Sequence, residues 1–413
     1  MTARYARRLV ALGGGLAGLA AAVEARRAGL ETCVVEQRAE MRAPQRLRAE
    51  FDASGAEAWS EMAAWGLWGH DLALTGADAP HSRIVEFEHL IVATGAFARP
   101  VAFPGWTLPG VMSIGGALRL QEQRAPLGER VVVAGFGGFA RAAAAELQRR
   151  GLRPVAMLDA AARAGRLVVR AEGDDRLLRV VTARVDADWY PRAGTEQTLE
   201  LDTLVLAFGY SPEDRLARLA GCDFRGSPYV DPQTNRDDWM RTSVPGVLVA
   251  GDAGGIVGPE AAIAQGRLAG LAAAVDSGCL GQAEAQRRAR PIRQRLVSQA
   301  QVEQPRPGLL ALADPDTIIC RCEDVTADEV TEHIFEGSLE PAGVIAETRA
   351  GMGLCQGRNC ACLIAATIAR HAGLPLERIP PITPRPPVVP VLMGLLAERP
   401  PVFPPLSELS AAR

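Results

Sequence analysis

Lysine is missing: all 45 basic residues are arginine. The chain therefore has neither a Schiff-base amine nor the phosphate-gripping lysine of a P-loop. An excess of either charge is missing too. The 45 basic side chains stand against 48 acidic ones, a net charge of −3, so nothing electrostatic points to nucleic acid as a partner. No stretch reaches the roughly 18 uncharged apolar residues of a membrane helix, and 261–275 carries Arg267 near its middle. The N-terminus has arginines ahead of an apolar run, as a signal peptide does. Glu24 and Arg26 follow closely, however, and a glycine loop stands where a cleavage site would be. The expectation is a soluble cytoplasmic protein without a transmembrane segment. There, eight cysteines read as metal ligands, redox groups or buried apolar residues before they read as disulfides. No Cys-x-x-Cys lies between the two glycine loops described next, so no redox dithiol is expected. The five histidines are scattered, and none pairs with a carboxylate as an evident general base.

With 413 residues, 48% of them apolar, the chain can form two or three domains with a substantial core. Residues 7–36 read as strand, glycine turn, helix, strand. Within them, Gly13-Gly14-Gly15-Leu16-Ala17-Gly18 fits G-x-G-x-x-G at a helix start. Gly13 allows the tight turn, Gly15 lets backbone approach a pyrophosphate, and Gly18 lets the helix pack on the strand. Leu16 and Ala17 then offer helix N-terminal N–H groups to the phosphates. Glu36, followed by Gln37, ends the next strand, where a carboxylate accepts from ribose hydroxyls.

The plan recurs about 120 residues later. Gly135-Phe136-Gly137-Gly138-Phe139-Ala140 fits G-x-G-x-x-A, and the following strand ends in Asp159. By itself this is an NAD-type site. The chain reaches RLVVRAEG soon after Asp159, too early for a complete domain, so a retained fold is expected and NAD(H) is not counted among the cofactors.

The first loop belongs to a wider pattern. Ala93-Thr94-Gly95 follows a strand, and Gly251-Asp252 closes GVLVAGD. These segments resemble the two-dinucleotide-domain flavoproteins of the glutathione and thioredoxin reductase kind. The resemblance implies FAD as the cofactor, with Thr94, Gly95, Gly251 and Asp252 joining the first loop around it. Such flavoproteins carry a Gly-Gly pair soon after the acidic residue. Here QRAEMRAPQRLRAEF has no glycine, and only 57 residues separate Glu36 from Thr94. The adenosine half of the site is complete in sequence and the isoalloxazine half is not, which leaves an ADP- or ATP-like ligand as the alternative.

Cys320 and Cys322 are followed, after 32 residues, by Cys355 and Cys360. Four thiolates suit an iron–sulfur cluster or a Cys₄ zinc site, and zinc sites seldom use Cys-x-Cys. IICRCEDVTADEV and RAGMGLCQGRNCACLIA together resemble the bacterioferritin-associated ferredoxin-like domain. That resemblance implies a [2Fe–2S] cluster on Cys320, Cys322, Cys355 and Cys360. Thr326 and Glu329 form a capping box for the helix after the first pair, and Cys360 opens a second helix. Cys362 reads as a packed helix residue and Cys33 as core.

The fold class expected is α/β: two Rossmann-like domains plus a small helical [2Fe–2S] domain. The FAD domain is split into 1–125 and 206–280, with a truncated NAD-type domain inserted over 126–205. A linker (281–313), which reads equally as a surface helix, the cysteine domain (314–376) and a Pro-rich tail (377–413) follow. That tail is extended by its prolines and either drapes over a partner or is disordered. Across nearly its whole length the chain resembles the α or A-type subunits of opine oxidases, hydroxyproline dehydrogenases and hydrogen cyanide synthase. The segments that carry this are ATGAFARPVAFPGWTLPGVMSIGGA, RTSVPGVLVAGDAGGIVGPEAAIAQGRLAG, the cysteine domain and the tail. The resemblance implies an electron-transfer subunit working beside a catalytic flavoprotein β-type subunit similar to glycine or sarcosine oxidases. In some members a small ferredoxin-like γ subunit is added. A stand-alone NADH-dependent reductase and a nucleotide-binding scaffold are the alternatives.

Overall fold

The computed structural model describes residues 3–76, 82–226, 231–297, 304–334 and 339–397. Its first layer grows from the strand Ala3–Leu12, whose last residues LVAL are apolar without alternation because both faces are covered. Thr32–Val35 pairs with it in parallel on one side and Arg83–Val92 on the other. Glu57–Trp59 extends the sheet beyond Thr32–Val35, and the hairpin Met62–Trp68 with Asp71–Gly76 extends it beyond Arg83–Val92. A late strand, Val247–Val249, returns to pair with Leu90–Val92. The first sheet is therefore built from both ends of the region the sequence divides.

A second sheet is wholly parallel, in the order Ala156–Asp159, Val131–Gly135, Thr203–Ala207, Val111–Ser113. Val111–Ser113, which the sequence places within 1–125, pairs here with Thr203–Ala207. An antiparallel meander follows Ala156–Asp159: Arg166–Glu172, Arg179–Arg184 and Gln197–Glu200. A short ribbon of Ala96–Ala98 and Tyr210–Pro212 runs between the two sheets in the chain.

The helices Leu16–Arg27 and Pro259–Asp276 cross with their backbones in contact. A Cβ on Gly266 would stand 2.1 Å from the Ala17 carbonyl oxygen, and one on Gly270 would stand 2.2 Å from that of Ala21. Only glycine permits so close an approach. The glycine-free stretch after Glu36 folds into the helix Gln45–Ser54, which buries Leu47 and Phe51.

The 281–313 linker is helical over Gln282–Val297. Its arginines hide an apolar stripe, Ala285, Ala289, Ile292 and Leu296, that packs on the core around Pro259–Asp276. The cysteine domain comprises the hairpin Ile318–Cys320 with Val325–Thr326 and the helices Ala327–Glu332, Pro341–Thr348 and Ala361–Ala372. It shares one core with the second sheet, Val330, Leu363, Ile364 and Ile368 joining Phe103, Trp106 and Leu204. Trp106 donates from its ring N–H to the Ile318 carbonyl at 2.7 Å. Part of the Pro-rich tail folds back on this chain: the Val388 N–H donates to the Trp65 carbonyl at 2.9 Å, with Val388 buried. Residues 398–413 lie outside the described residues. No helix among the described residues is long and apolar enough to cross a membrane.

Candidate functional site

The first glycine loop forms a cradle in which each glycine has a separate steric reason. Gly13 has φ +115°, and a Cβ there would lie 2.3 Å from the Ala93 carbonyl oxygen. A Cβ on Gly18 would lie 1.9 Å from the Gly13 carbonyl oxygen. Gly15 faces open space, with nothing within 4 Å of where its Cβ would be. This opening sits at the start of the helix Leu16–Arg27, where N–H groups lack intrahelical partners.

Two cavities flank the loop. One, of about 490 Å³, is lined by Gly13, Glu36, Gln37, Arg38, Arg42 and Thr94, among others. The second, of about 280 Å³, is lined by Gly15, Leu16, Ala17, Gly95, Gly251 and Asp252, with Phe139 and Tyr210 closing one side. The residues named from the first loop, the ATG turn and the GD turn thus line two adjoining spaces. An anionic dinucleotide spanning them would lay its phosphates at Gly15, so the arrangement fits FAD.

Several of these residues also serve the fold. Glu36 accepts from the Gly14 N–H at 2.7 Å and from the Arg38 N–H at 2.9 Å, which fixes its carboxylate at the cavity wall. Thr94 lines the larger cavity, but its hydroxyl donates to the Glu213 carbonyl at 2.6 Å, so it shapes the turn. Asp252 Oδ1 accepts from the N–H groups of Val257 and Gly258 at 2.8 and 3.2 Å, ordering the start of the helix Pro259–Asp276. Gly251, at φ +70°, donates to Gln265 Oε1 at 3.0 Å.

In the second glycine loop, Asp159 accepts from the N–H groups of Gly137 and Ala161 at 2.8 and 2.9 Å. A Cβ on Gly135 would press on the Ala207 carbonyl oxygen at 2.2 Å, and Gly137 has φ +47°. Phe136 is fully buried against Trp189, with ring centroids 5.0 Å apart. These contacts account for the loop as packing.

The four cysteines come together. The Cys360 thiol donates to the Cys320 sulfur, and backbone N–H groups of Gly351, Glu323 and Cys322 join it, drawing the Cys320 thiol down to about 5. The same bond and deep burial push the Cys360 thiol well up. Burial raises the Cys322 thiol, which donates to Cys355. Each cysteine of the first pair is thereby joined to one of the second. Among the described residues no three His, Cys, Asp or Glu side chains converge as ligands of one metal ion. Four thiols that approach one another across the two sequence pairs suit a cluster of two bridged irons. N–H groups aimed at sulfur offset negative charge on a cluster. The capping box is present, with Thr326 and Glu329 each accepting from the other's N–H, and Cys360 is the N-cap of Ala361–Ala372. Cys362 follows on the helix Ala361–Ala372, its thiol pushed up to about 12 by burial and by Asp231. Cys33 is buried in the first sheet.

Sequence reading missed the residues that join the two sites. Glu213 accepts from Arg215 and from Arg358, the latter at 2.6 Å, and Arg358 lies inside the Cys355–Cys360 loop. The QGR segment was the available signal, but nothing in the sequence names Glu213 as its partner.

Comparison with known proteins agrees with this layout. The family described as pyridine nucleotide-disulphide oxidoreductase matches residues 68–278. An FAD binding domain matches 8–64, and a BFD-like [2Fe-2S] binding domain matches 318–370. Hydrogen cyanide synthase subunit HcnB of Pseudomonas aeruginosa is 31% identical, over 89% of this chain and 93% of that protein. The A-type subunit of opine oxidase from Rhizobium meliloti is 29% identical, over 94% of this chain and 86% of its own length. The crystal structure of L-proline dehydrogenase from P. horikoshii superposes with a TM-score of 0.77 at 22% identity. It covers 96% of this chain and 81% of that one, and shares the fold.

Proposed function

Because the chain belongs to the pyridine nucleotide-disulphide oxidoreductase family, in the group of opine oxidase A-type and hydrogen cyanide synthase subunits, we propose that it is an electron-transfer subunit. It would serve a heteromeric flavin-dependent dehydrogenase of an amino acid, opine or related amine. The partner is a catalytic flavoprotein subunit that oxidises the CH–NH bond, with or without a small ferredoxin-like subunit. The observation that carries the reading is the direct bridge from the Thr94-Gly95 turn through Glu213 to the Cys355–Cys360 loop.

Gly13, Gly15 and Gly18 would hold the FAD pyrophosphate at the helix N-terminus, Glu36 and Gln37 the adenosine side, and Gly95, Gly251 and Asp252 the ribityl side. Cys320, Cys322, Cys355 and Cys360 would ligate the [2Fe–2S] cluster. When bound, the flavin accepts electrons in pairs and the cluster passes them singly. Among the described residues no histidine lines either cavity, so neither presents an imidazole base to draw a proton from an amine.

The test is purification of the chain alone and with its co-expressed partner, with visible spectra and the extracted cofactors identified by mass. Flavin and cluster bands that bleach under an amine substrate only when the partner is present support the proposal. Amine oxidation by this chain unaided would sink it. Rapid bleaching by NADH would replace it with an NADH-fed reductase.

A further inference from the structure

Glu213 belongs to two loops at once. Its backbone is fixed to the turn at the flavin side: its N–H donates to the Gly95 carbonyl at 2.9 Å, and its carbonyl accepts from the Thr94 hydroxyl at 2.6 Å. Its carboxylate is bound to the cysteine loop. Arg358 donates to Oε2 from Nε at 2.9 Å and from Nη2 at 2.6 Å. Arg215 donates to Oε1 at 2.6 Å and to Oε2 at 2.9 Å, and its remaining nitrogen reaches the carbonyls of Cys355 and Val388. The Arg358 guanidinium also lies over the Phe97 ring, 5.6 Å from its centroid.

An exposed ion pair would fix nothing, since water competes for both partners. Here the Glu213 side chain is only 15% exposed. Burial alone would raise its carboxyl, yet the two guanidiniums outweigh burial and hold it below the usual carboxylate range. Four charge-assisted N–H bonds give the carboxylate one position. The cysteine loop itself is a run of tight turns, with positive φ at Gln356 and Gly357; its end is held by the helix Ala361–Ala372, and Glu213 anchors its middle from outside.

We propose that Glu213 is a positioning residue that sets the separation between the flavin held at Gly95 and the cluster held by Cys355 and Cys360, and thereby the rate at which electrons cross between them. The proposal rests on the electron-transfer reading above. Two electrons leave the reduced flavin one at a time, its protons pass to solvent, and a one-electron acceptor reoxidises the cluster between the two crossings. The crossing rate falls steeply with separation, so a carboxylate that pins both loops controls it without touching either redox group.

The experiment uses the full chain loaded with flavin and cluster, as wild type, Glu213→Gln, Glu213→Asp and Arg358→Gln. Flash photoreduction by a deazaflavin donor is followed separately at the flavin and cluster absorbance. Flavin and iron contents and the rate of flavin reduction are expected to match wild type. Cluster reduction is expected to slow tenfold or more in Glu213→Gln and Arg358→Gln, and less in Glu213→Asp. Amide exchange over 355–360 reports whether the loop has loosened. A wild-type crossing rate in variants with a loosened loop overturns the positioning role alone. Absence of any cluster reduction in the wild-type chain overturns the electron-transfer reading together with it. Should Glu213→Gln not fold, Arg358→Gln, whose side chain is 37% exposed, carries the same readout.

Discussion

Single residues of the first glycine loop do different work, and substitution separates them. A Cβ at Gly15 meets open space, so Gly15→Ala is expected to leave stability within about 0.5 kcal/mol of wild type. Because that methyl group enters the phosphate position, FAD affinity is expected to fall tenfold or more, about 1.4 kcal/mol. Gly18→Ala places its methyl group 1.9 Å from a carbonyl oxygen and is expected to cost about 2–3 kcal/mol even without FAD. Chemical denaturation of apoprotein and FAD titration together check both. His89 gives a pH prediction. It is buried with no hydrogen bond at either ring nitrogen, Nε2 lying 3.6 Å from Glu88, and burial depresses it below the ordinary 6.5. Glu88 and Asp276 oppose that shift, while Arg8 and His70 add to it. A base depressed in the folded state contributes stability that is full above 6.5 and lost as pH falls through the folded value. Unfolding free energy is therefore expected to drop below pH 6.5, and His89→Leu should flatten that slope. Equal slopes in the two proteins would refute the assignment.

At the scale of elements, the pairing of Leu16–Arg27 with Pro259–Asp276 holds the two turns of the cradle together. Gly266 and Gly270 pack on the Ala17 and Ala21 carbonyls, and the first of these alanines lies within the first glycine loop's helix start. Gly266→Ala must push the helices apart and is expected to destabilise by about 2 kcal/mol. It should also weaken FAD binding, because the GD turn at Gly251-Asp252 leads into the same helix. Gly258, by contrast, caps that helix with open space around its Cβ and φ +84°, so its substitution strains backbone without separating helices. Thermal melts with and without added FAD distinguish the two. The GRLAG spacing was visible in the sequence. Its meaning was not, because a small-residue stripe identifies a close helix neighbour only once that neighbour is known.

For the whole molecule, the cysteine domain shares its core with the second sheet and its loop with the ATG turn. Serine at Cys320, Cys322, Cys355 or Cys360 is expected to abolish the cluster absorbance and the iron stoichiometry. Cys362→Ser is expected to keep both, since that thiol is set beside Asp231 and Arg99 and hydrogen-bonds none of the four. Iron analysis of the five purified variants decides this. A chain that loses iron at Cys362 and keeps it at Cys360 would reassign the fourth ligand.

The sequence by itself determined the parts whose chemistry is local. A glycine loop after a strand, an acid at the next strand's end and two cysteine pairs each carry their meaning within a few residues, and each lies where the turn geometry requires. Helix starts were legible for the same reason, as Thr326 with Glu329 and Cys360 show. The helix Gln282–Val297 was legible only as one of two alternatives, a linker or a surface helix, because arginines interrupt its apolar stripe. Only the tertiary structure decided what joins distant segments. It placed Val247–Val249 beside Leu90–Val92, folded the tail onto Trp65, and set Glu213 between Gly95 and Arg358. Those partners are 119 to 157 positions apart across Thr94–Glu213 and Leu90–Val247, and 145 across Glu213–Arg358. No local pattern specifies such pairs, because strand pairing, burial and charge neutralisation between distant segments choose them.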